Sequence, residues 1–197
     1  MSVPGHRGQS RPRDVQDGPG FFETSGEGAA TTDAEDSPAT SSGRRLVVEA
    51  DGGSRGNPGP AAYGAVVMDA GTSVVLASEG QPIGVATNNV AEYSGLIAGL
   101  EMVRALDPTA EVEVRMDSKL VVEQMAGRWK IKHPAMIPLA RRAAALRPPK
   151  VTWTWVPREQ NKAADALVNL ALDGEPVRRK IPGPAPSAAA GHAHPGL

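Results

Sequence analysis

The sequence predicts an α/β fold, a five-stranded mixed sheet flanked by helices, and three observations predict it. Three apolar, strand-like runs follow one another across short turns near the start of the ordered region. Two further short strands then alternate with segments of helical periodicity. A glycine- and proline-rich stretch sits between the first two runs and closes them as a hairpin.

Leu46 to Ala50 is the first strand, and it drives Asp51 to the end of an apolar run. Gly52, Gly53, Gly56, Pro58, Gly59 and Pro60 follow as turn residues, where missing side chains would let a bulky ligand approach the backbone. Ala61 to Met68 and Thr72 to Ala77 complete an antiparallel meander, and a loop through Gln81-Pro82-Ile83-Gly84 follows. Thr87-Asn88-Asn89 supplies cap chemistry for a helix from Val90 to Leu106, which Asp107-Pro108 stops. Glu111 to Met116 alternates as a strand and runs into Asp117-Ser118, a cap for the helix Lys119 to Met125. A basic link, Gly127 to Pro134, leads to a helix ending near Leu146; Val151 to Val156 is the last strand, and Asn161 opens the last helix. In sheets of this kind ligands collect beyond the carboxyl ends of the strands, where strand order switches.

Residues 44–173 form the expected domain. Residues 1–43 are rich in Gly, Ser, Thr, Asp and Glu and are expected to be a disordered leader, and residues 174–197 a disordered Pro/Ala/Gly-rich tail in which His192 and His194 are solvated. The chain of 197 residues has no cysteine, so disulfides and thiolate metal sites are excluded. With four histidines, any metal is expected on carboxylates. No run is long and apolar enough to cross a membrane, and the polar Met1 to Gly20 does not have the pattern of a secretory signal, so a cytoplasmic monomer with no membrane partner is expected. Net charge is −1, from 21 basic and 22 acidic residues, which alone argues against a general polyanion binder. Between Glu123 and Glu159, however, lie Arg128, Lys130, Lys132, Arg141, Arg142, Arg147, Lys150 and Arg158 without an acidic residue, a local positive surface.

Four carboxylates are placed where function rather than solubility needs them: Asp51 and Asp117 at strand ends, Glu92 and Asp165 in the first turns of helices. Singly, each has an ordinary explanation, because Asp117 can cap a helix and the other helical pair suits a helix dipole. Together they would repel one another and raise each other's pKa values unless a cation sat among them. Oxygen-only ligation points to Mg²⁺ or Mn²⁺, and two such ions form a clamp for in-line attack on a phosphodiester.

Residues 44–173 resemble type 1 ribonuclease H, most nearly its actinobacterial form. The resemblance rests on Glu49-Ala50-Asp51-Gly52-Gly53-Ser54-Arg55-Gly56-Asn57-Pro58-Gly59-Pro60, Thr87-Asn88-Asn89-Val90-Ala91-Glu92, Met116-Asp117-Ser118-Lys119-Leu120-Val121 and Trp155-Val156-Pro157 with Asn161 to Asp165, in that order. It implies a ribonuclease H-like fold and endonucleolytic cleavage of the RNA strand of RNA–DNA hybrids, with two ions bound alongside substrate and a role in DNA replication. Asp51 would bridge both ions, Asp165 would share the one that activates water, and Glu92 and Asp117 would hold the other. Gly52, Asn57, Asn88 and Asn89 would lie along the minor groove, where 2′-hydroxyls distinguish RNA from DNA, and Thr87 would grip a DNA-strand phosphate. Asn88 and Asn89 can equally be helix caps.

Trp129 is either a stacking surface for the DNA strand or a plug at a helix junction, and Lys130, Lys132, Arg141 and Arg142 are either phosphate contacts or an ordinary solvated face. The loop Val156 to Lys162 departs from the family in carrying no histidine, which implies slower turnover or a substitute group and extends the expected substrates to double-stranded RNA. Two competing readings remain: an inert hybrid-binding module, and a strand transferase or junction resolvase on the same fold. Concentrated negative charge argues against the first, since a surface built only to bind a polyanion has no use for it.

Overall fold

The computed structural model describes residues 43–181. The expected leader, apart from Gly43, and the tail beyond residue 181, with His192 and His194, lie outside the described residues. In chain order the elements are β1 (Arg45–Ser54), β2 (Gly59–Asp69), β3 (Val75–Ala86), α1 (Asn88–Leu106), β4 (Glu111–Met116), α2 (Lys119–Met125), α3 (Met136–Ala145), β5 (Lys150–Trp155), a 3₁₀ turn at Arg158–Gln160, α4 (Lys162–Leu172) and β6 (Val177–Lys180).

The strands form one mixed sheet in the order β5-β4-β1-β2-β3-β6. β1 pairs antiparallel with β2 and parallel with β4, so the strand order switches beside β1. Helices cover both faces, and the alternation of strand side chains shows how. A side chain at Gly52 would meet the backbone of α1 at Ala91 and Glu92, whereas one at the next residue, Gly53, would meet Val168 of α4. The main core lies beneath α1, where Leu96, Leu100 and Val103 bury against Val48, Ala65 and Val114.

Among the described residues there are six strands rather than the expected five. The sixth, Val177–Lys180, is a short, charged edge strand of a kind that hydrophobic alternation does not reveal, and it falls in the stretch read as tail. Arg179 fastens it with ion pairs to Glu79 at 2.6 Å and Glu101 at 2.9 Å.

β3 also runs through Gln81-Pro82-Ile83-Gly84, which the sequence presents as a loop. Its register shifts opposite Ala61 and Ala62, so a bulge accommodates the proline that would otherwise interrupt the ladder. α1 starts at Asn88, two residues earlier than the apolar pattern suggests, which moves Glu92 from the first turn into the second.

Candidate active site

Strand register brings the first two carboxylates together. The parallel pairing of β1 with β4 ends at Glu49 opposite Arg115, and two residues farther along each chain come Asp51 and Asp117. Because side chains repeat every second residue, the two emerge abreast. β1 itself continues to Ser54 along β2, so Asp51 is flanked by sheet on one side only. Asp117 does not cap α2; Ser118 holds the cap position, and one Asp117 carboxylate oxygen instead accepts a hydrogen bond from Asn161 Nδ2 at 3.1 Å.

Glu92 joins them because α1 crosses β1 at a distance that only glycine permits. A Cβ on Gly52 would stand 2.0 Å from the Glu92 amide nitrogen, and one on Gly95 would stand 2.5 Å from the Asp51 carbonyl oxygen. One carboxylate oxygen from each of Asp51, Glu92 and Asp117 lies within 4.8 Å of the others. Asp51 and Glu92 are 4% and 6% exposed.

Burial, then the neighbouring Asp117, pushes the Asp51 carboxyl up to about 7. Burial, then Asp51 and Asp117, raises Glu92 well above the usual carboxylate range. Glu92 Oε1 accepts from Asn88 Nδ2 at 3.4 Å, while its buried Oε2 has no partner. A buried carboxylate oxygen without a donor, inside a trio of mutually repelling oxygens, is a donor set that a hard divalent cation fits, as protons do in its place.

Asp165 stands apart from this trio. It occupies the first turn of α4, forms an ion pair with Arg158, and accepts from Asn169 Nδ2 at 2.9 Å. It is still near enough to help raise Asp51, and Arg158 acts in the opposite sense on both Asp51 and Glu92. The cleft, of about 280 Å³, opens between these groups and is lined by Asp51, Glu92, Asp117, Asn88, Arg158 and Asn169 among others.

Residues 49–171 match a family model described as reverse transcriptase-like. A ribonuclease HI of Halobacterium salinarum is 42% identical over 149 residues, 75% of this chain and 74% of that protein. The chain belongs to the type 1 ribonuclease H family. A bifunctional protein of Mycobacterium tuberculosis is 59% identical over 131 residues, which are 66% of this chain but only 36% of that protein, so the chain spans about a third of that relative. Among solved structures, the N-terminal RNase H domain of a M. tuberculosis protein superposes with a TM-score of 0.65 at 57% identity, covering 67% of this chain and 96% of that one. The LC11 RNase H1 in complex with an RNA/DNA hybrid gives 0.62 at 41% identity, covering 66% and 97%.

The other residues singled out in this ribonuclease H sequence separate into two groups. Asn57, Thr87 and Asn88 meet at the start of α1: Asn57 Oδ1 accepts from the Asn88 amide at 3.1 Å, and Thr87 Oγ1 caps the helix by accepting from the Val90 amide. Asn88 and Gly52 line the cleft, and Asn89 is exposed beside them. Trp129, Lys130 and Lys132 are exposed on the link between α2 and α3 and do not line the cleft. Of the basic interval, Arg128 pairs with Glu123, Arg142 with Glu101 and Arg158 with Asp165. Lys130, Lys132, Arg141, Arg147 and Lys150 make no ion pair among the described residues, so they are the freer cations.

Sequence reasoning missed the roles of Arg158, Asn161 and Asn169. The sequence marks Arg158 as part of a positive surface, and Asn161 as a helix start and the first residue of a family-like segment, without a role at the site for either. Asn169 carried a usable signal, since it stands one helical turn after Asp165, where side chains of a helix meet.

Proposed function

We propose that the chain hydrolyses the RNA strand of RNA–DNA hybrids endonucleolytically, leaving 5′-phosphate and 3′-hydroxyl ends, with double-stranded RNA as a second substrate. The observation that carries this reading is the trio of the buried Asp51 and Glu92 with the half-buried Asp117, carboxylate oxygens within 4.8 Å, with the orphaned Glu92 oxygen among them, in a chain of the ribonuclease H family. Asp51, Glu92 and Asp117 would hold one divalent ion, and Asp51 with Asp165 a second. Two ions, Mg²⁺ or Mn²⁺, would supply Lewis acidity to the attacking water and to the departing 3′-oxygen.

The chain's own groups prepare the site. Asp51 and Glu92 must give up the protons that burial favours, and Asp165 must part from Arg158, before all four carboxylates act as ligands. Gly52, Asn57, Asn88 and Asn89 would meet the minor groove and its 2′-hydroxyls, Thr87 a DNA-strand phosphate, and Trp129, Lys130 and Lys132 the DNA backbone farther along. Support for hybrid binding comes from the relative solved with an RNA/DNA hybrid. Support for the wider substrate range is the loop Val156 to Lys162 before α4, which carries no histidine where many members of the family have one. The proposed setting is a cytoplasmic monomer serving DNA replication; among the described residues no helix is long and apolar enough to cross a membrane.

Matched RNA–DNA, RNA–RNA, DNA–DNA and four-way-junction substrates, each assayed in Mg²⁺ and in Mn²⁺, test the proposal. Cleavage of the RNA strand in the hybrid is expected, with slower cutting of the RNA duplex. Cleavage confined to the junction or to DNA favours a resolvase or transferase, and binding without cleavage favours an inert module.

A further inference from the structure

We infer that Asn161 is a positioning residue that ties together the chain segments carrying Asp51, Asp117 and Asp165 and so sets the spacing at which the carboxylates meet a metal ion. The inference rests on the ribonuclease H reading of the site.

Among the described residues, Asn161 is the one polar residue beside the cleft with no exposure at all, at 0%. Its Nδ2 donates to the carbonyl of Ala50, the residue before Asp51, at 2.9 Å and to Asp117 Oδ1 at 3.1 Å. Both partners are acceptors, so the amide must present its NH₂ side, and each of its two hydrogens is used once. The same residue's carbonyl accepts from the Asp165 amide at 3.1 Å, the first bond of α4. Asn161 therefore contacts β1 next to Asp51, the Asp117 carboxylate and the Asp165 backbone. Asp117 is held a second time through its carbonyl, which accepts from Trp155 Nε1 at 3.0 Å.

Its helix position makes the arrangement unusual. An asparagine at a helix N-cap ordinarily accepts from an amide of the first turn. Asn161 makes no such side-chain cap bond, and its buried Oδ1 has no partner. An ordinary capping interaction has been given up, at the cost of an unsatisfied buried oxygen, for two bonds directed at the carboxylate cluster. A purely structural asparagine would gain more by turning the amide toward its own helix.

The test uses the full chain. Asn161→Ala, Trp155→Phe and the wild type are compared for Mn²⁺ and Ca²⁺ affinity by calorimetry, for metal-free melting temperature, and for kcat and KM on a hybrid as a function of Mg²⁺. The expected result is a Kd for Mn²⁺ raised about tenfold or more in Asn161→Ala, a smaller rise in Trp155→Phe, and a hybrid KM at saturating Mg²⁺ within a few-fold of wild type. Where Asn161→Ala does not fold, Asn161→Ser replaces it, because its shorter hydroxyl cannot reach both acceptors. Metal affinity unchanged in a variant whose melting temperature alone falls overturns the inference and makes Asn161 merely structural. A wild type that binds no divalent ion overturns the ribonuclease H reading itself, and the inference with it.

Discussion

Raising pH without metal destabilises the protein, and the size of the effect follows from Asp51. Its carboxyl titrates at about 7 in the folded chain against 3.8 as a free side chain. The folded state therefore holds a proton that the unfolded chain has already lost, so stability present at low pH is lost as pH rises through the window between those values. From pH 5 to pH 8 the loss is about 2.5 kcal/mol from this one group, which lowers the melting temperature by roughly 5–10 °C for a domain of this size. Glu92, raised by burial and the same neighbours, adds in the same direction.

Glu101, Glu113 and Asp69 are lowered by their partners, so they stay ionised throughout this window and do not disguise the slope. The assay is a melting series in chelator across pH 5–8 for the wild type and Asp51→Asn, repeated with Mg²⁺. A falling melting temperature, a shallower fall in the variant, and a Mg²⁺ stabilisation that grows with pH are expected. A flat metal-free profile, or one as steep in Asp51→Asn as in the wild type, refutes the reasoning.

Three further outcomes are expected. Gly95→Ala drives a methyl to 2.5 Å from the Asp51 carbonyl; overpacking costs about 1–3 kcal/mol and a shift of α1 off β1 lowers kcat by about a hundredfold, read by melting and by hybrid hydrolysis. Arg158→Ala removes the cation that holds Asp51 and Glu92 down, so the acid limb of the pH–rate profile moves to higher pH; an unmoved limb would show that Arg158 does not act on the cluster. Arg179→Ala frees β6 and leaves Glu79, whose side chain is 12% exposed, without its cation; stability falls by about 1 kcal/mol in denaturant melts while hybrid cleavage at saturating Mg²⁺ stays unchanged.

The parts of the fold that announce themselves by repetition were legible in the sequence. The alternation of Glu111–Met116 and the helix Lys119–Met125 are found where the sequence places them. β6 was not, because Val177-Arg178-Arg179-Lys180 has one apolar residue and is held by pairing with β3 and by ion pairs from Arg179 to residues far away in sequence. Pro82 hid the length of β3, because the bulge that admits it depends on the partner strand. At the site, all four carboxylates could be named from their positions at element ends, yet the sequence implied one cluster where the structure gathers three and pairs the fourth with Arg158. That division is set by how α4 meets the sheet, and a choice between bonding a helix amide and a distant carboxylate, as at Asn161, is written in three dimensions only.

The central claim is that these carboxylates carry metal-dependent cleavage of RNA in a hybrid. The most direct measurement is cleavage of a labelled RNA–DNA hybrid in Mg²⁺ by the wild type and Asp117→Asn, with hybrid affinity measured in parallel in Ca²⁺. The account predicts RNA-strand cleavage by the wild type, a loss of several kcal/mol of transition-state stabilisation in the variant, roughly a thousandfold or more in rate, and hybrid binding within a few-fold of wild type. Cleavage by Asp117→Asn at near wild-type rates, or none by the wild type despite tight binding, would contradict it.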